Sequence, residues 1–328
     1  MKNKTTSFQE AFAEEVEAGL TAYPKYLSSK YIYDQRGDEL FQQIMAMPEY
    51  YLTDCEFEIL ERHQSAIAQA FASERGFDLI ELGAGDGKKT KILLRHFVQQ
   101  GMDIHYLPVD ISQNALDLLT NSLEKEMPNL SVQPQQGTYF DVLEELAQYN
   151  KRKKVIVVLG SNIGNLLHPQ AITFLRKIKE AMATEDLLFM GFDQKKHPQT
   201  ILDAYNDTTG ITEAFNKNLL RRINLELDAD FDLDAFVHWE VYDPETGTAK
   251  SYLVSTKNQL VNINALHQEI HFDAWESIHT EISQKYDDQI VSWLAKEAGL
   301  TITDQFADQR DYFKNYLFKK KAYESHLE

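Results

Sequence analysis

The sequence predicts an α/β protein that combines a mostly parallel, doubly wound sheet with a second, discontinuous α+β domain. Between residues 77 and 192, short apolar strands alternate with amphipathic helices, which is typical of buried strands paired in parallel. Beyond Asp193 this rhythm changes to two helices followed by a hairpin-like alternation. The chain has 328 residues, and domains usually have about 100–200 residues, so two domains are expected.

The region before the first sheet strand is predicted to be mainly helical. An acidic helix is expected near residues 9–20, followed by a tyrosine-rich stretch at 23–33 and a short helix around 39–47. Thr53 and Glu56 have the spacing of a capping box, in which two side chains satisfy backbone N–H groups at the start of a helix. We therefore expect a helix from Thr53 to about Ala72.

Apolar runs define the strands of the predicted sheet, at residues 77–82, 104–109, 130–133, 154–159 and 186–192. Helices are expected at 88–100, ended by Gly101, and at 169–183. Ser112 is placed to cap the helix that follows the second strand.

The C-terminal part of the chain predicts helices at 199–205 and 211–227. Alternation at 236–242 then passes through the turn-rich Asp243-Pro-Glu-Thr-Gly247 into 250–255, which indicates a β-hairpin. Strand-like sequence continues to residue 282, and a helix at 287–298 with strands at 301–306 and 312–319 is expected to complete the first sheet. The predicted domains are therefore 60–195 plus 286–328, and 8–59 plus 196–285.

Charge and hydropathy exclude several classes of protein. With 33 Lys and Arg against 51 Asp and Glu, the formal net charge is −18, so a nucleic acid is not expected as a substrate. The apolar runs are far shorter than the roughly 20 residues that span a bilayer, so no membrane segment is expected. No apolar stretch follows the N-terminal lysines and Cys55 is the single cysteine, which favours a cytoplasmic protein. Nothing in the sequence indicates an obligate protein partner.

The sharpest motif is a glycine-rich loop after the first strand. In Glu81-Leu-Gly83-Ala-Gly85-Asp-Gly87 the glycines let the backbone turn tightly and approach a ligand. Their spacing differs from that of dinucleotide sites, and no Gly-Lys-Ser/Thr is present, which argues against NAD and nucleoside triphosphates. Asp110, at the end of the next strand, can accept both ribose hydroxyls of an adenosine. The alternative is an ordinary strand-to-helix turn beside a solvated carboxylate.

This loop and the acid on the second strand resemble the class I S-adenosylmethionine-dependent methyltransferases, whose sheet is Rossmann-like. The resemblance implies that Glu81 binds the methionine ammonium of the cofactor, directly or through water. After the third strand the family often has an acid near the adenine amino group, and here Tyr139, Asp141 or a backbone group could serve. The implied cofactor residues are Glu81, Gly83, Gly85, Lys89, Asp110, Tyr139 and Asp141.

Further segments resemble one family of these enzymes over nearly the whole chain. They include Gly-Ser-Asn-Ile-Gly-Asn and Thr-Glu-Ile-Ser-Gln-Lys, and the segments lie at 31–41 with 47–51, 159–166, 203–212 with 215–218, and 280–286. The family is that of the histidine-specific Nα-methyltransferases of ergothioneine biosynthesis. Its members transfer methyl groups in succession from S-adenosylmethionine to the α-amine of free L-histidine, giving the trimethylated betaine hercynine.

The same resemblance implies roles for individual residues. Asn165 and Tyr205 hold the carboxylate and amine end of the substrate, whereas Glu281 and Ser283 grip the imidazole. Residues two apart on a strand share one face, which is compatible with the second pair. The implied substrate residues are Tyr33, Phe41, Tyr50, Gly160, Asn165, Tyr205, Thr212, Glu281 and Ser283, with Tyr33 and Asn165 as candidate catalytic residues.

Substrate identity and proton transfer are the open points. Tyr33, or solvent reached through it, is expected to assist deprotonation of the substrate ammonium, and aromatic walls to tolerate the trimethylammonium product. Ser251 stands where relatives can have a bulky Met, which leaves another amino acid or derivative as an alternative substrate. A noncatalytic ligand-binding relative is the second alternative. No metal site is expected, since His267 and His271 lie in strand-like and turn-like sequence.

Overall fold

The computed structural model of the protein describes residues 3–148 and 152–321. The chain divides into two compact units. The first unit contains the chain up to Tyr51 together with Lys196–Ser283, and the second contains Leu52–Lys195 together with the chain from Gln284 onward. The first boundary lies at Tyr51 rather than near residue 59 because a continuous helix begins there.

The helices and strands follow one another in a pattern close to that predicted. The helices are α1 (Asn3–Thr21), α2 (Gln35–Met45), α3 (Tyr51–Phe71), α4 (Lys88–Gln99), α5 (Gln113–Glu126), α6 (Tyr139–Ala147), α7 (His168–Ala181), α8 (Pro198–Tyr205), α9 (Ile211–Glu226) and α10 (Asp288–Ala298). The strands are β1 (Lys25–Tyr26), β2 (Phe77–Leu82), β3 (Ile104–Asp110), β4 (Ser131–Val132), β5 (Gln135–Gln136), β6 (Lys153–Val158), β7 (Leu187–Asp193), β8 (Phe236–Asp243), β9 (Thr248–Ser255), β10 (Gln259–Ile263), β11 (Gln268–Phe272), β12 (Ser277–Gln284), β13 (Leu300–Ala307) and β14 (Phe313–Lys320).

The second unit is built on an 8-stranded sheet with the order β13-β14-β7-β6-β2-β3-β4, and β5 also pairs with β3. The pairings among β2, β3, β4, β6 and β7 are parallel, whereas β14 is antiparallel to both of its neighbours. Every residue of β2 and β7 is buried, as expected for strands covered on both faces. The predicted α/β fold with a doubly wound sheet is confirmed, and the C-terminal strands complete that sheet.

Two local expectations fail for identifiable reasons. The strand predicted at 130–133 is instead two short strands, β4 and β5, because Pro134 between them has no N–H for the ladder. The capping box of Thr53 and Glu56 is wrong, since α3 already begins at Tyr51. Glu56 is completely buried and binds other partners, described below. The predicted cap of α5 is present, with Ser112 Oγ accepting from the Ala115 N–H at 3.2 Å.

The first unit packs helices against a 4-stranded sheet with the order β1-β12-β9-β8, beside a 2-stranded sheet of β10 and β11. β8 and β9 form the predicted antiparallel hairpin, and β1 pairs in parallel with β12. The helices α1, α2 and α9 bury their apolar stripes in one core with residues of β9 and β12, among them Phe12, Ile44, Leu219, Leu253 and Ile278. The N-terminal residues therefore belong to this unit through both strand pairing and core packing.

No helix within residues 3–148 and 152–321 combines the length and apolar character needed to cross a membrane.

Candidate active site

The glycine loop connects β2 to α4 in the second unit. Gly83, Gly85 and Gly87 have φ values of 79°, 51° and 64°, a region that residues with a Cβ rarely adopt. A Cβ at Gly83 would lie 2.4 Å from the hydroxyl of Tyr139, and one at Gly87 would lie 2.4 Å from a methyl carbon of Leu119. Among the described residues, nothing lies within 4 Å of a Cβ added at Gly85. Gly85 therefore borders open space in which a ligand can approach the backbone.

Asp110 ends β3 beside Gly85. Its Oδ2 accepts a hydrogen bond from the Gly85 N–H at 3.0 Å, and its Oδ1 accepts from the Ser112 N–H at 2.9 Å. Each carboxylate oxygen can accept more than one hydrogen bond, and the side chain is only half-buried. Asp110 is therefore fixed in position and can still accept from a ligand, although its role as a ribose ligand stays a prediction.

Glu81 lies on β2 under the glycine loop and is 3 % exposed. Its carboxylate accepts hydrogen bonds from the hydroxyls of Thr90 and Tyr106. Burial raises the pKa of Glu81 to about 7, against the two hydroxyls and the nearby Lys89, which lower it. The carboxylate thus belongs to a buried network that supports the loop, and direct binding of a cofactor ammonium by Glu81 stays a prediction.

The two candidates for the adenine end lie at the start of α6. Tyr139 is half-buried, with its ring centroid 6.2 Å from that of Phe174, and burial raises its pKa to about 12. Asp141 is exposed, and its Oδ2 accepts from the Thr138 hydroxyl at 2.8 Å. The hydroxyl of Tyr139 lies beside Gly83 of the glycine loop, whereas the carboxylate of Asp141 is hydrogen-bonded to Thr138 at the start of α6.

Lys89 and Gly160 share one buried partner. Lys89, in the first turn of α4, donates from Nζ to Glu56 Oε2 at 2.7 Å, and its side chain is 19 % exposed. Gly160 follows β6 with a φ of 77°, and its N–H donates to the same oxygen at 2.8 Å. Glu56 was missed as a site residue. The sequence does contain a sign that Glu56 is unusual, because this charged residue interrupts the apolar stripe of a predicted helix.

Asn165 ends a segment that is anchored at several points. The segment forms the 3₁₀ turn Asn162–Asn165, and the Tyr286 hydroxyl donates to the Ile163 carbonyl at 3.1 Å. A Cβ at Gly164 would lie 3.1 Å from a carbonyl oxygen of Gln284, so the backbone is closely packed there. Asn165 itself is exposed, so its amide is free to face a ligand in a fixed position.

Aromatic rings of the first unit form one continuous cluster. The ring centroids are 5.7 Å apart for Tyr33 and Phe41, 6.4 Å for Phe41 and Tyr50, and 6.1 Å for Tyr50 and Tyr205. Phe215 on α9 joins the cluster at 5.5 Å from Tyr33 and was missed as a site residue. Nothing in the helical periodicity of α9 distinguishes this Phe from a core residue. We call these five residues the aromatic cluster.

Polar groups of β12 adjoin this aromatic cluster. Ser283 and Tyr205 share a hydrogen bond of 2.8 Å between their hydroxyl oxygens. Desolvation by the surrounding protein, followed by the negative charge of Glu281, raises the pKa of Tyr33 above its ordinary value of 10, although the residue is 36 % exposed. Tyr33 is therefore a neutral phenol at neutral pH, and Glu281 lies near enough to interact with it electrostatically.

Thr212 lies in the first turn of α9 and is 3 % exposed. Its N–H donates to Asp207 Oδ1 at 2.8 Å, and its hydroxyl lies beside the same carboxylate. Burial acts to raise the pKa of Asp207, but hydrogen bonds from Thr209, Thr212 and Ile211 hold it well below its usual value. The role of Thr212 as a substrate residue stays a prediction.

Two other residues singled out from the sequence lie in buried contacts. Ser251 on β9 is 2 % exposed, and its hydroxyl donates to Glu240 Oε2 of β8 at 2.6 Å. Whether Ser251 faces the substrate ring stays a prediction. Burial raises the pKa of Cys55 to about 12, and Arg310 donates to its sulfur at 3.1 Å, so it is a packed thiol. The part of the chain that the structure describes has no group of three His, Cys, Asp or Glu side chains that could hold a metal.

A doubly wound sheet with this glycine loop and an acid at the end of the neighbouring strand defines a class I S-adenosylmethionine-dependent methyltransferase. The family model of the S-adenosylmethionine-dependent, histidine-specific methyltransferases matches residues 12–320. The chain therefore belongs to that family, and it is an enzyme that uses S-adenosylmethionine.

Similar proteins have related names. The chain is 35% identical to the histidine N-alpha-methyltransferase of Mycolicibacterium smegmatis over 303 residues, and these residues make up 92% of each protein. It is 34% identical over 290 residues to that of Mycobacterium tuberculosis, covering 88% of this chain and 89% of the relative. Ergothioneine biosynthesis protein 1 of Schizosaccharomyces pombe is 28% identical over 302 residues, which are 90% of this chain and 39% of that longer protein.

Proposed function

We propose that this enzyme methylates the α-amine of free L-histidine in successive steps and so produces the trimethylated betaine hercynine. Family membership and the names of the similar proteins support this proposal. The observation that carries it is the position of Glu281 and Ser283, two residues apart on β12, with Ser283 hydrogen-bonded to Tyr205 of the aromatic cluster. A carboxylate and a hydroxyl at this spacing can accept from, and donate to, the two nitrogens of one imidazole.

The second unit is proposed to hold the cofactor. The open space at Gly85 fits a ligand lying against the backbone, and Asp110 retains capacity to accept from a ribose diol. Lys89 supplies a cation suited to a carboxylate group. When bound, S-adenosylmethionine supplies an electrophilic methyl group on its sulfonium.

Asn165 and Tyr205 are proposed to bind the carboxylate and amine end of the amino acid. An amide and a phenol can satisfy these groups without adding a cation, which would repel the sulfonium of the cofactor. Because the amine lone pair must lie in line with the breaking S–CH3 bond, most of the catalysis is positioning. The aromatic cluster offers ring faces that stabilise a growing positive charge at the substrate nitrogen.

Product analysis tests the substrate and the number of methyl groups together. The enzyme is incubated with S-adenosylmethionine and a panel of free amino acids, and the products are analysed by mass spectrometry. We expect histidine alone to gain one, two and then three methyl groups. Methylation of another amino acid would support the alternative suggested by Ser251, and no methylation of any would leave a ligand-binding protein.

Glu281→Ala tests the proposed grip on the imidazole. We expect histidine to bind at least about tenfold more weakly, because a charge-assisted hydrogen bond is lost, while S-adenosylhomocysteine binds as before. Titration calorimetry measures both affinities. Glu269→Ala, at an exposed position on β11, is the matched control and should change neither. Equal losses for both ligands would make Glu281 a structural residue.

A further inference from the structure

Glu56 is a charged residue within the apolar stripe of α3. Its neighbours on that stripe, Leu52, Cys55, Ile59 and Leu60, are buried like it, and Glu56 has no exposed surface. An isolated carboxylate would be strongly destabilising in such a position. Its partners therefore explain why a carboxylate is tolerated there.

The carboxylate of Glu56 accepts hydrogen bonds from three separate parts of the second unit. Oε2 accepts from Lys89 Nζ at 2.7 Å and from the Gly160 N–H at 2.8 Å, and Oε1 accepts from Asn315 Nδ2 at 2.8 Å. A Cβ at Gly191 would lie 2.5 Å from Oε1, so the position also requires a glycine on β7. A charged group held from several sides in this way has little freedom to move.

Two of these partners are parts of the proposed site. Lys89 lies in the first turn of the helix after the glycine loop, and Gly160 begins the segment that ends at Asn165. Glu56 itself is buried and is not expected to touch a ligand. Its effect on the reaction would therefore pass through the groups that it holds.

We propose that Glu56 is a positioning residue that holds the Lys89 ammonium ready for the carboxylate of the methionine moiety of the cofactor. This inference rests on the proposed function, in which Lys89 contacts that carboxylate. An ammonium has three N–H donors, so one bond to Glu56 leaves two for the cofactor. Fixing the flexible lysine side chain in advance removes rotamer entropy that binding would otherwise cost.

The charge of Glu56 has a second, opposing effect. It partly neutralises Lys89 and so weakens the attraction between the ammonium and a bound carboxylate. The two effects predict opposite results when the charge is removed. Loss of positioning weakens cofactor binding, whereas loss of neutralisation strengthens it. We expect positioning to dominate, because a released Lys89 side chain can turn toward solvent.

Glu56→Gln is the first test variant. It preserves the side-chain volume, and Asn315 can turn its amide so that Oδ1, which has no partner among the described residues, accepts from the new Gln. We expect S-adenosylhomocysteine to bind about tenfold more weakly in titration calorimetry. Glu56→Asp keeps the charge but withdraws it by one methylene, and it should weaken binding in the same direction. Glu56→Asp replaces Glu56→Gln as the test variant if the Gln protein does not fold.

A double-mutant cycle with Lys89→Met separates positioning from a general loss of structure. If Glu56 acts through Lys89, Glu56→Gln should change the affinity less than about twofold once Lys89 is already Met. Asp186→Asn is the matched control, because Asp186 also forms a buried ion pair. Its carboxylate lies 3.1 Å from the ammonium of Lys154 on β6. This control should lower the melting temperature and leave the cofactor affinity unchanged.

Each outcome of the cycle has a defined meaning. Equal or tighter binding by both Glu56 variants, or undiminished losses in the Lys89→Met background, would overturn the inference. If Lys89→Met weakens binding and the Glu56 variants do not, only this inference fails. If Lys89→Met binds S-adenosylhomocysteine like the wild type, the proposed contact of Lys89 fails and the inference fails with it.

Discussion

Tyr33 is a candidate catalytic residue, and the structure limits the roles that its hydroxyl can have. The sequence suggested that it assists removal of the substrate proton. The surrounding protein and the charge of Glu281 raise the pKa of Tyr33 above its ordinary value of 10, so the hydroxyl stays protonated throughout the neutral range. We therefore expect Tyr33 to donate a hydrogen bond or to pass a proton to water rather than to act as a phenolate base.

Tyr33→Phe tests this distinction. We expect kcat to fall about tenfold, because a hydrogen bond is lost. The factor should be the same at every pH from 6 to 9, because no titrating group is removed. Steady-state rates across that range measure the effect. Tyr50→Phe, also in the aromatic cluster, is the comparison variant. A rate loss that grows with pH would restore Tyr33 as a base, and an unchanged rate would remove it from the reaction.

Glu56 and Phe215 illustrate why some site residues escape prediction. The Thr-x-x-Glu pattern around Glu56 is local, but its true partner Asn315 lies 259 positions away in the sequence. Phe215 fits the apolar face of α9, and its ring contacts with Tyr33 and Phe41 connect it to the predicted site residues. The position of Glu56 in the apolar stripe of α3 was visible in the sequence, but its tertiary partners and the ring contacts of Phe215 were not.

At the scale of elements, buried strands and their order of succession were the most predictable features. The apolar runs of β2 and β7 appear almost at the predicted bounds, since strands covered on both faces must be apolar throughout. The short strands β4 and β5 were less predictable because each has two residues and Pro134 separates them. The glycine loop was predictable because its positive φ values restrict the residue type.

The loop between β2 and α4 can be tested with Gly85→Ala. A methyl group there would enter the open space proposed for the cofactor, so S-adenosylhomocysteine should bind at least about tenfold more weakly. Gly101→Ala is the matched control, because Gly101 also has a positive φ, 67°, and also has nothing within 4 Å among the described residues. Both variants should lose about 1–2 kcal/mol of stability from backbone strain.

Calorimetry and urea denaturation together decide the result. If both glycine variants lose stability to a similar extent and only Gly85→Ala loses cofactor affinity, the open space at the loop is the ligand site. Unchanged affinity in Gly85→Ala would place the cofactor elsewhere.

At the scale of the whole molecule, the net charge of −18 is compatible with a small zwitterionic substrate that needs no basic surface. The buried Glu81 also makes the stability of the protein depend on pH. Its folded-state pKa of about 7 is above the ordinary value of 4.5, so between these values the folded chain holds a proton that the unfolded chain has released. Stability should therefore fall as the pH rises through this window.

Glu81→Gln tests this dependence. In the wild type, the contribution of Glu81 to the free energy of unfolding should fall by about 2.5 kcal/mol between pH 5 and 8, most of it below pH 7, where the slope approaches about 1.4 kcal/mol per pH unit. The variant lacks the titrating group, so its stability should change less over the same range. Urea denaturation of both proteins at several pH values gives the comparison. Parallel curves would mean that Glu81 titrates normally in the folded protein.

Synthesis of the chain is constrained by the way its strands pair. β1, at Lys25–Tyr26, has its parallel partner at Ile278 and His279, and β7 has its antiparallel partner in β14 at Phe313–Lys319. The sheet of the first unit cannot be completed before residue 279 has left the ribosome, and that of the second unit cannot be completed before residue 319. The growing chain therefore carries unpaired strand edges through most of translation, when they are open to aggregation. A chain that ends before Ile278 would leave both sheets unfinished, with neither unit complete.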